Sequence, residues 1–237
     1  MRRPRIIAHR GASGYEYENS LAAFRRAVML DADGVELDVH ATRDGAFVVH
    51  HDRELPDVGA IPLLSLAEVR AARLRNGERV PLLSEVLELM QDRDVWVEVK
   101  SLAPPADAGL LGVLAAGPFP RRYAVHSFDH RIIRRLGAAA PALRRGLLLS
   151  AYVVDPVAML QGSDATTLWQ QWELIDDDLV RCIHDAGCEL IAWTVNEIGD
   201  LERLTRMGVD GLCGNYPARI RIATPSRPSG GYSGSDA

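Results

Sequence analysis

The chain has 237 residues, of which 47% are apolar and 25% are charged, and its formal net charge is -5. This length is enough for one large hydrophobic core, and the acidic balance argues against a protein that coats nucleic acid with a basic face. Asp155 and Pro156 interrupt the stretch from Leu147 to Leu160, so we expect no membrane-spanning helix. The basic first five residues lead directly into a predicted strand. We therefore expect no signal peptide and a cytoplasmic location.

Short apolar runs alternate with helical stretches along the chain. The predicted strands are Ile6–His9, Val35–Val39, Phe47–His51, Val95–Val99, Tyr123–Ser127, Gly146–Leu149, Glu189–Val195 and Gly211–Cys213. The clearest predicted helices are Leu21–Leu30 after a possible N-cap at Asn19, Glu85–Gln91 after Ser84, Asp129–Ala139, Asp177–Ala186 and Glu197–Met207. Alternation of buried strands with helices predicts a parallel sheet covered by helices.

About eight strands in this length favour a closed barrel over an open sheet. Two regions fit the pattern less well. Residues 40–46 hold a DG turn signal and leave no room for a helix between two strands, and residues 151–173 give no clear assignment. The composition after residue 223 is rich in Pro, Ser and Gly. We therefore predict one barrel domain over residues 1–223 and a flexible, disordered tail over residues 224–237.

Ionisable side chains stand on or just after four of the predicted strands. They are His9 and Arg10, then Glu36 and Asp38, then His51 and Asp52, and then Glu98 and Lys100. Residues two apart on a strand share one face, and ionisable groups inside a barrel are costly unless they are paired or bind a metal. Three acids with two histidines fit a hard divalent cation flanked by a general acid and a general base.

This combination predicts metal-assisted displacement at phosphorus, with Arg10 and Lys100 on the phosphate oxygens. Taken one at a time, the same residues have simpler interpretations. A histidine at a strand end can be structural, the acids of the second strand can form an exposed face, and Glu98 with Lys100 can be a surface ion pair. It is their joint occurrence at the ends of successive strands that favours a catalytic site.

The segments HRGASGYEYENSLAAF and ADGVELDVHATRDGAFVVHHD resemble the opening signature of the glycerophosphodiester phosphodiesterase family. VPLLSEVLEL, WVEVK, HSFDH, IAWTVN and GVDGLCGNYP follow in the family's order, so the resemblance spans about residues 5–220. It implies a single α/β domain with the (β/α)8 TIM-barrel fold and one divalent cation, Mg²⁺ or Ca²⁺, with Mn²⁺ as an alternative. The implied reaction is the hydrolysis of glycerophosphodiesters to glycerol 3-phosphate and an alcohol. Lysophospholipase D activity, a broader small-diester phosphodiesterase and a non-catalytic phosphate-binding barrel are the alternatives.

The resemblance also implies roles for individual residues. Glu36, Asp38 and Glu98 take the metal positions, His9 and His51 the general acid and base positions, and Arg10 and Lys100 the phosphate contacts. Glu18 lies beside the site, where it either orients Arg10 or touches the metal, and Trp193 lies near the substrate pocket or in the core. The expected partner is a small phosphodiester, with no nucleic acid and no membrane insertion.

The other histidines of the sequence fit this pattern less well. His51 is preferred over His50 because the family places its catalytic histidine directly before the Asp, and strand alternation would put His50 on the opposite face. His40, His126, His130 and His184 match no catalytic position, although His126 ends a strand and is expected near the pocket rim. Two positions depart from the family pattern: Tyr17 replaces a proline, and Asn215 stands where Asp is frequent.

Overall fold

A closed barrel of parallel strands organises the protein, whose computed structural model describes residues 3–224. The strands are β1 (Arg5–His9), β2 (Gly34–Ala41), β3 (Phe47–Val49), β4 (Glu54–Leu55), β5 (Gly59–Ala60), β6 (Asp94–Ser101), β7 (Tyr123–Ser127), β8 (Arg144–Leu149), β9 (Thr167–Gln171), β10 (Glu189–Trp193) and β11 (Gly211–Gly214). Strands β1, β2 and β6 to β11 form the barrel in chain order, and pairing of β1 with both β11 and β2 closes it.

Helices connect the barrel strands and cover the outside of the barrel. They are α1 (Leu21–Met29), α2 (Leu66–Ala71), α3 (Leu83–Met90), α4 (Asp107–Ala116), α5 (His130–Ala139), α6 (Pro156–Gly162), α7 (Asp177–Asp185), α8 (Ile198–Met207) and α9 (Pro217–Ala223). The five predicted helices are all present, with ends shifted by up to two residues. Helix α1 is capped by Ser20, whose hydroxyl accepts from the amide of Ala23, and not by Asn19 as predicted.

The TIM barrel predicted from the sequence is confirmed, but two strand assignments need correction. Residues 47–49 form a strand outside the barrel, where β3 pairs antiparallel with β2. The missing barrel strand is β9, which lies within the stretch 151–173 that gave no clear assignment. Its polar residue Gln170 is buried and donates to the carbonyls of Leu149 and Ala151, so it hides the apolar pattern of a buried strand.

Two hydrophobic layers hold the barrel together. The outer layer lies between strands and helices; in α5, for example, Ile132, Ile133 and Leu136 face the barrel. The inner layer fills the barrel around Trp96 and Trp169, whose ring centroids lie 5.2 Å apart. Both indoles are buried, and replacing either by Ala would cost about 3–5 kcal/mol of unfolding free energy. This layer forms a solid floor beneath the carboxyl ends of the strands.

Ion pairs close the opposite, amino-terminal end of the barrel. The buried carboxylate of Asp94 accepts hydrogen bonds from both terminal nitrogens of Arg144 at 3.2 Å, and a terminal nitrogen of Arg122 lies 3.5 Å away. Arg5 pairs with Glu189 at 2.7 Å. Charges at this end of the barrel are therefore paired with one another, and the inner apolar layer separates them from the other end.

Two further predictions concern the chain ends and membranes. The predicted tail lies outside the described residues except for Thr224, which is buried and donates to the carbonyl of Ile220 at 2.7 Å. The packed region therefore extends one residue beyond the predicted boundary. Among the residues described, no helix has both the length and the apolar character that crossing a membrane requires.

Candidate active site

Three buried carboxylates meet inside the barrel at the carboxyl ends of its strands. Glu36 and Asp38 lie two apart on β2, and Glu98 lies on the neighbouring strand β6 in register with Asp38. One oxygen from each of the three lies within 4.8 Å of the others. Active sites of this barrel type lie at the carboxyl ends of the strands. The cluster can therefore hold a metal ion at the position where a catalytic site is expected.

Two basic side chains contact the carboxylates. The Nζ of Lys100 lies 2.8 Å from Asp38 Oδ1 and 2.7 Å from Glu98 Oε1, and the Nε of Arg10 lies 3.3 Å from Asp38 Oδ2. Arg10 also donates to Glu18 at 2.8 Å. Two cations against three buried carboxylates leave a formal charge of about -1 if all are ionised. The donor set fits a hard divalent cation, which prefers carboxylate oxygens and is favoured by excess negative charge.

Lys100 is unusual in the composition of this chain. The sequence has 27 basic residues, of which 26 are arginines and Lys100 is the only lysine. An ammonium is a compact point charge with three donors, whereas a guanidinium is a wide planar fork. The single lysine therefore stands where one small cation must contact carboxylates from two strands at once.

The turn after β1 brings its backbone toward the carboxylates. Arg10 and Gly11 both have positive φ angles, 53° and 76°, so the chain turns sharply after His9. The backbone amide of Arg10 donates to Glu36 Oε2 at 3.1 Å. A Cβ atom at position 11 would lie 2.7 Å from the carbonyl carbon of Ala23, which explains the glycine.

His9 lies beside Glu36 with a defined ring orientation. Its Nδ1 lies 2.8 Å from Oδ1 of Asn215, and because an amide oxygen accepts, Nδ1 carries the proton. The lone pair of Nε2 is then directed toward the site, where Glu36 Oε2 lies 3.9 Å away. Burial lowers the pKa of His9, although the negative charge of Glu36 opposes this effect. In this form His9 can accept a proton at Nε2.

His126 lies in the barrel interior, not at the pocket rim where the sequence placed it. It is fully buried beside Trp169, with ring centroids 4.3 Å apart, and its Nε2 lies 3.8 Å from Glu36 Oε1. Its strand pairs with β6 at Glu98, so the side chain points into the barrel beneath the carboxylates. Burial lowers the pKa of His126 to about 3, which keeps the ring neutral.

His51 follows β3 and is partly exposed. Its Nδ1 lies 2.8 Å from Oδ1 of Asp52, and this hydrogen bond lowers the pKa of Asp52. Within the described residues no hydrogen bond or ion pair joins His51 to the three carboxylates. The strand ends at Val49, so strand alternation does not govern positions 50 and 51. That argument for His51 over His50 was therefore wrong, and the choice rests on the family pattern.

The carboxylates differ in their affinity for protons. Burial, reinforced by the charge of Asp38, raises the pKa of Glu98 to about 8. Burial and Asp38 also raise the pKa of Glu36. Burial would raise the pKa of Asp38 too, but Lys100 and Arg10 outweigh it and hold that pKa below its usual value. Without a cation the cluster therefore holds at least part of a proton at neutral pH, which an incoming cation would displace.

Two asparagines complete the site, and the sequence analysis assigned neither of them a catalytic or binding role. The side-chain amide of Asn19 donates to Asp38 Oδ2 at 2.7 Å, and Asn215 orients His9. Asn19 also has a positive φ angle of 53°, which asparagine tolerates better than most residues. The one sequence feature that could have pointed to these asparagines is their place in the matched motifs YEN and GNYP. Neither contact follows from the spacing of residues along the chain.

The two halves of the barrel mouth differ in chemistry. The charged groups come from β1, β2 and β6, whereas aromatic residues follow β7 and end β10. Phe128 and Trp193 pack edge to face with ring centroids 5.5 Å apart, and Phe128 is half exposed. Trp193 also packs against the inner apolar layer, as the core interpretation expects, and its place near the substrate pocket stays a prediction.

Comparison with known proteins gives one consistent result. The model of the "Glycerophosphoryl diester phosphodiesterase family" matches residues 9–219. The chain is 37% identical to a glycerophosphodiester phosphodiesterase of Caldanaerobacter subterraneus subsp. tengcongensis, covering 91% of this chain and 95% of that protein. It is 32% identical to a probable glycerophosphodiester phosphodiesterase 2 of Mycobacterium tuberculosis, covering 87% and 85%.

Solved structures agree with the sequence comparisons. A phosphodiesterase of Oleispira antarctica, in complex with the product sn-glycerol-3-phosphate, superposes with a TM-score of 0.87 at 27% identity, covering 93% of this chain and 96% of that one. A putative glycerophosphoryl diester phosphodiesterase of Silicibacter pomeroyi gives a TM-score of 0.85 at 25% identity, covering 93% and 92%.

Proposed function

The chain belongs to the glycerophosphoryl diester phosphodiesterase family and is a phosphoric diester hydrolase, and from this premise we propose that it hydrolyses glycerophosphodiesters to glycerol 3-phosphate and an alcohol with the help of one divalent cation. The family predicted from the sequence is thereby confirmed. The observation that carries the proposal is the cluster of Glu36, Asp38 and Glu98 with two cations beside it.

Glu36, Asp38 and Glu98 are the residues that would hold the cation, with Mg²⁺ or Ca²⁺ as the expected ion and Mn²⁺ as an alternative. A divalent cation at this position supplies charge neutralisation and Lewis acidity for a phosphodiester. Arg10 and Lys100 supply further positive charge for the non-bridging oxygens, where charge-assisted hydrogen bonds are strongest. Glu18 holds the guanidinium of Arg10 in place through its 2.8 Å hydrogen bond.

The two histidines divide the proton transfers. His9, whose Nδ1–H is committed to Asn215, accepts the proton of the attacking hydroxyl at Nε2. His51 gives a proton to the oxygen of the departing alcohol. Asp52 accepts a hydrogen bond from Nδ1 of His51, so Nε2 is the nitrogen that donates this proton. In the first step the phosphorus–oxygen bond to a glycerol hydroxyl forms as the bond to the departing alcohol breaks, which gives a cyclic phosphate. In the second step His51, now neutral, takes a proton from water as the water oxygen bonds to phosphorus, and His9 returns its proton to the glycerol oxygen that leaves. The product is glycerol 3-phosphate, and both histidines regain their starting protonation.

The apolar half of the mouth favours a second substrate class for the same site. Phe128, Tyr152 and Val154 are exposed on the loops that follow β7 and β8, and Trp193 packs against Phe128. A diester whose glycerol carries an acyl chain would bury these side chains, which suits a lysophospholipase D reaction that releases the head-group alcohol. A broader activity on small diesters would use only the charged half. In either case we assign catalysis to the barrel over residues 1–223, and a cytoplasmic location stays a prediction.

An assay of glycerol 3-phosphate released from glycerophosphocholine tests the proposal. We expect turnover that EDTA abolishes and added Mg²⁺, Ca²⁺ or Mn²⁺ restores, and no turnover by Glu36→Gln. The matched control is Glu202→Gln on the exposed face of α8, which should retain full activity. Metal-independent turnover, or full activity of Glu36→Gln, would contradict the metal role. Parallel assays with lysophosphatidylcholine and bis(p-nitrophenyl) phosphate separate the substrate classes.

A further inference from the structure

His51 lies on a segment that no regular structure holds. Strand β3 ends at Val49, and residues 50–53, which form bends from His51 to Arg53, belong to no strand. Proton transfer requires a side chain to be held within a fraction of an ångström of its working position. A catalytic role for His51 therefore needs other contacts to fix its backbone, and two histidines without a catalytic assignment provide them.

His40 makes the first of these contacts. It is buried near the end of β2, and its Nε2 lies 3.1 Å from the carbonyl oxygen of His51. A carbonyl only accepts, so Nε2 carries the proton. The other ring nitrogen, Nδ1, is buried and has no hydrogen-bond partner within the described residues. The one polar contact found for this buried ring is thus the bond to the backbone of His51.

His50 makes the second contact. It is also buried, and its Nδ1 lies 2.9 Å from the carbonyl oxygen of Asp52. Its own backbone amide donates to the carbonyl of Asp38 at 3.1 Å, which ties the segment to β2. Imidazoles therefore hold the carbonyls of two consecutive residues, His51 and Asp52. The carboxylate of Asp52 in turn accepts from the His51 ring.

We propose that His40 and His50 are positioning residues that hold the His51–Asp52 segment in its catalytic place by donating ring N–H groups to its two backbone carbonyls. The inference rests on the proposed function, in which His51 transfers a proton. It gives a function to His40, near the end of β2, and to His50, just after β3. Neither histidine needs to contact the substrate.

Variants that keep or remove one donor test this role. His40→Leu removes the Nε2 donor, whereas His40→Gln keeps an N–H at a similar reach. His50→Leu and His50→Asn form the corresponding pair for the Nδ1 donor. We expect both leucine variants to lower kcat on the order of 10–100-fold, the effect of a small displacement of a catalytic group. KM for glycerophosphocholine and the Mn²⁺ affinity measured by calorimetry should stay unchanged, and the amide variants should recover most of kcat.

A double variant separates positioning from a general structural effect. If His40 acts through His51, then His40→Leu should lower kcat in the wild-type background and cause no further loss in His51→Ala. Three results would overturn the inference. They are additive losses of kcat in the double variant, equal losses of kcat in His40→Leu and His40→Gln, and wild-type kcat in both leucine variants. Melting curves check folding, and the His50 pair carries the test if His40→Leu does not fold. Full activity of His51→Ala would instead contradict the proposed role of His51 itself.

Discussion

Replacing Lys100 with Met removes an ammonium that contacts two of the three carboxylates, Asp38 and Glu98. Asp38 is fully buried and Lys100 is largely buried, so water screens their 2.8 Å contact little. Methionine retains most of the volume of the lysine side chain, so the change is mainly one of charge. Removing one partner of a buried pair costs about 3–5 kcal/mol.

Protonation sets an upper limit to this cost. The ordinary pKa of an aspartate is about 3.9, and each pH unit is equivalent to about 1.4 kcal/mol. Protonating Asp38 at pH 7 therefore costs about 4 kcal/mol. Because Asp38 can take up a proton instead of staying charged, the loss of Lys100 cannot cost more than this. Arg10 still contacts Asp38, so we expect a loss of about 3 kcal/mol in unfolding free energy at pH 7. This corresponds to a fall of about 6–12 °C in Tm.

The pH dependence distinguishes charge from packing. In the wild type, Lys100 and Arg10 hold the pKa of Asp38 below its ordinary value. The stability gained from this carboxylate is therefore present above the ordinary pKa and is lost only below it. In Lys100→Met the cost of protonating Asp38, which sets this upper limit, falls with pH and is about 1.5 kcal/mol at pH 5. The stability difference between variant and wild type should shrink as pH falls from 7 to 5.

Urea denaturation in EDTA at pH 7 and pH 5 measures this difference. Arg206→Met on the exposed face of α8 is the control, because its ion pair with Glu202 is solvent-exposed and should contribute little. A loss of the same size at both pH values would show that packing, and not charge, is removed. A loss below about 1 kcal/mol at pH 7 would refute the claim that the pair is effectively buried.

Three further results are expected. Burial raises the pKa of Glu98 to about 8, so below this pH a cation must displace a proton from the carboxyl group. The Mn²⁺ affinity measured by calorimetry should therefore fall by up to about tenfold per pH unit from pH 8 to pH 6. An affinity that does not change with pH would exclude proton release. Gly214→Ala places a methyl group against a backbone carbonyl of the β10–α8 loop and should cost about 1–3 kcal/mol in thermal unfolding, whereas Gly162→Ala, which meets nothing, should be near neutral. Asn215→Leu removes the acceptor of His9 and should lower kcat about fivefold or more, whereas Asn215→Asp retains an acceptor and should recover activity.

Sequence patterns predicted the fold better than they predicted the individual strands. The barrel follows from alternation of apolar strands and helices, and that pattern survives errors in single elements. Phe47–Val49 has the composition of a buried strand and is one, but pairing with β2 places it outside the barrel. Strand β9 escaped detection because Thr167 and Gln170 are buried polar residues. Whether such residues find hydrogen-bond partners depends on the assembled barrel and not on local composition.

The carboxylates of the site were predictable because they obey local rules, whereas their supporting contacts were not. Glu36 and Asp38 are two apart on a strand, and Glu98 repeats the pattern two positions before Lys100. The contact of Asn215 with His9 joins residues 206 positions apart, and that of His126 with Glu36 joins residues on strands that are not neighbours. Such contacts depend on the closure and register of the barrel, which no single segment encodes.

The presence of only one lysine makes the centre of the site addressable by chemistry. Lys100 is the one side-chain target of reagents that modify amines, and a protease that cuts after lysine has one possible cleavage point in the chain. Selective isotope labelling of lysine would give a single ammonium signal in a nuclear magnetic resonance spectrum. That signal comes from a group within 2.8 Å of two carboxylates. Occupancy of the site by an ion or an inhibitor could thus be followed in the unmodified protein, without introducing a probe.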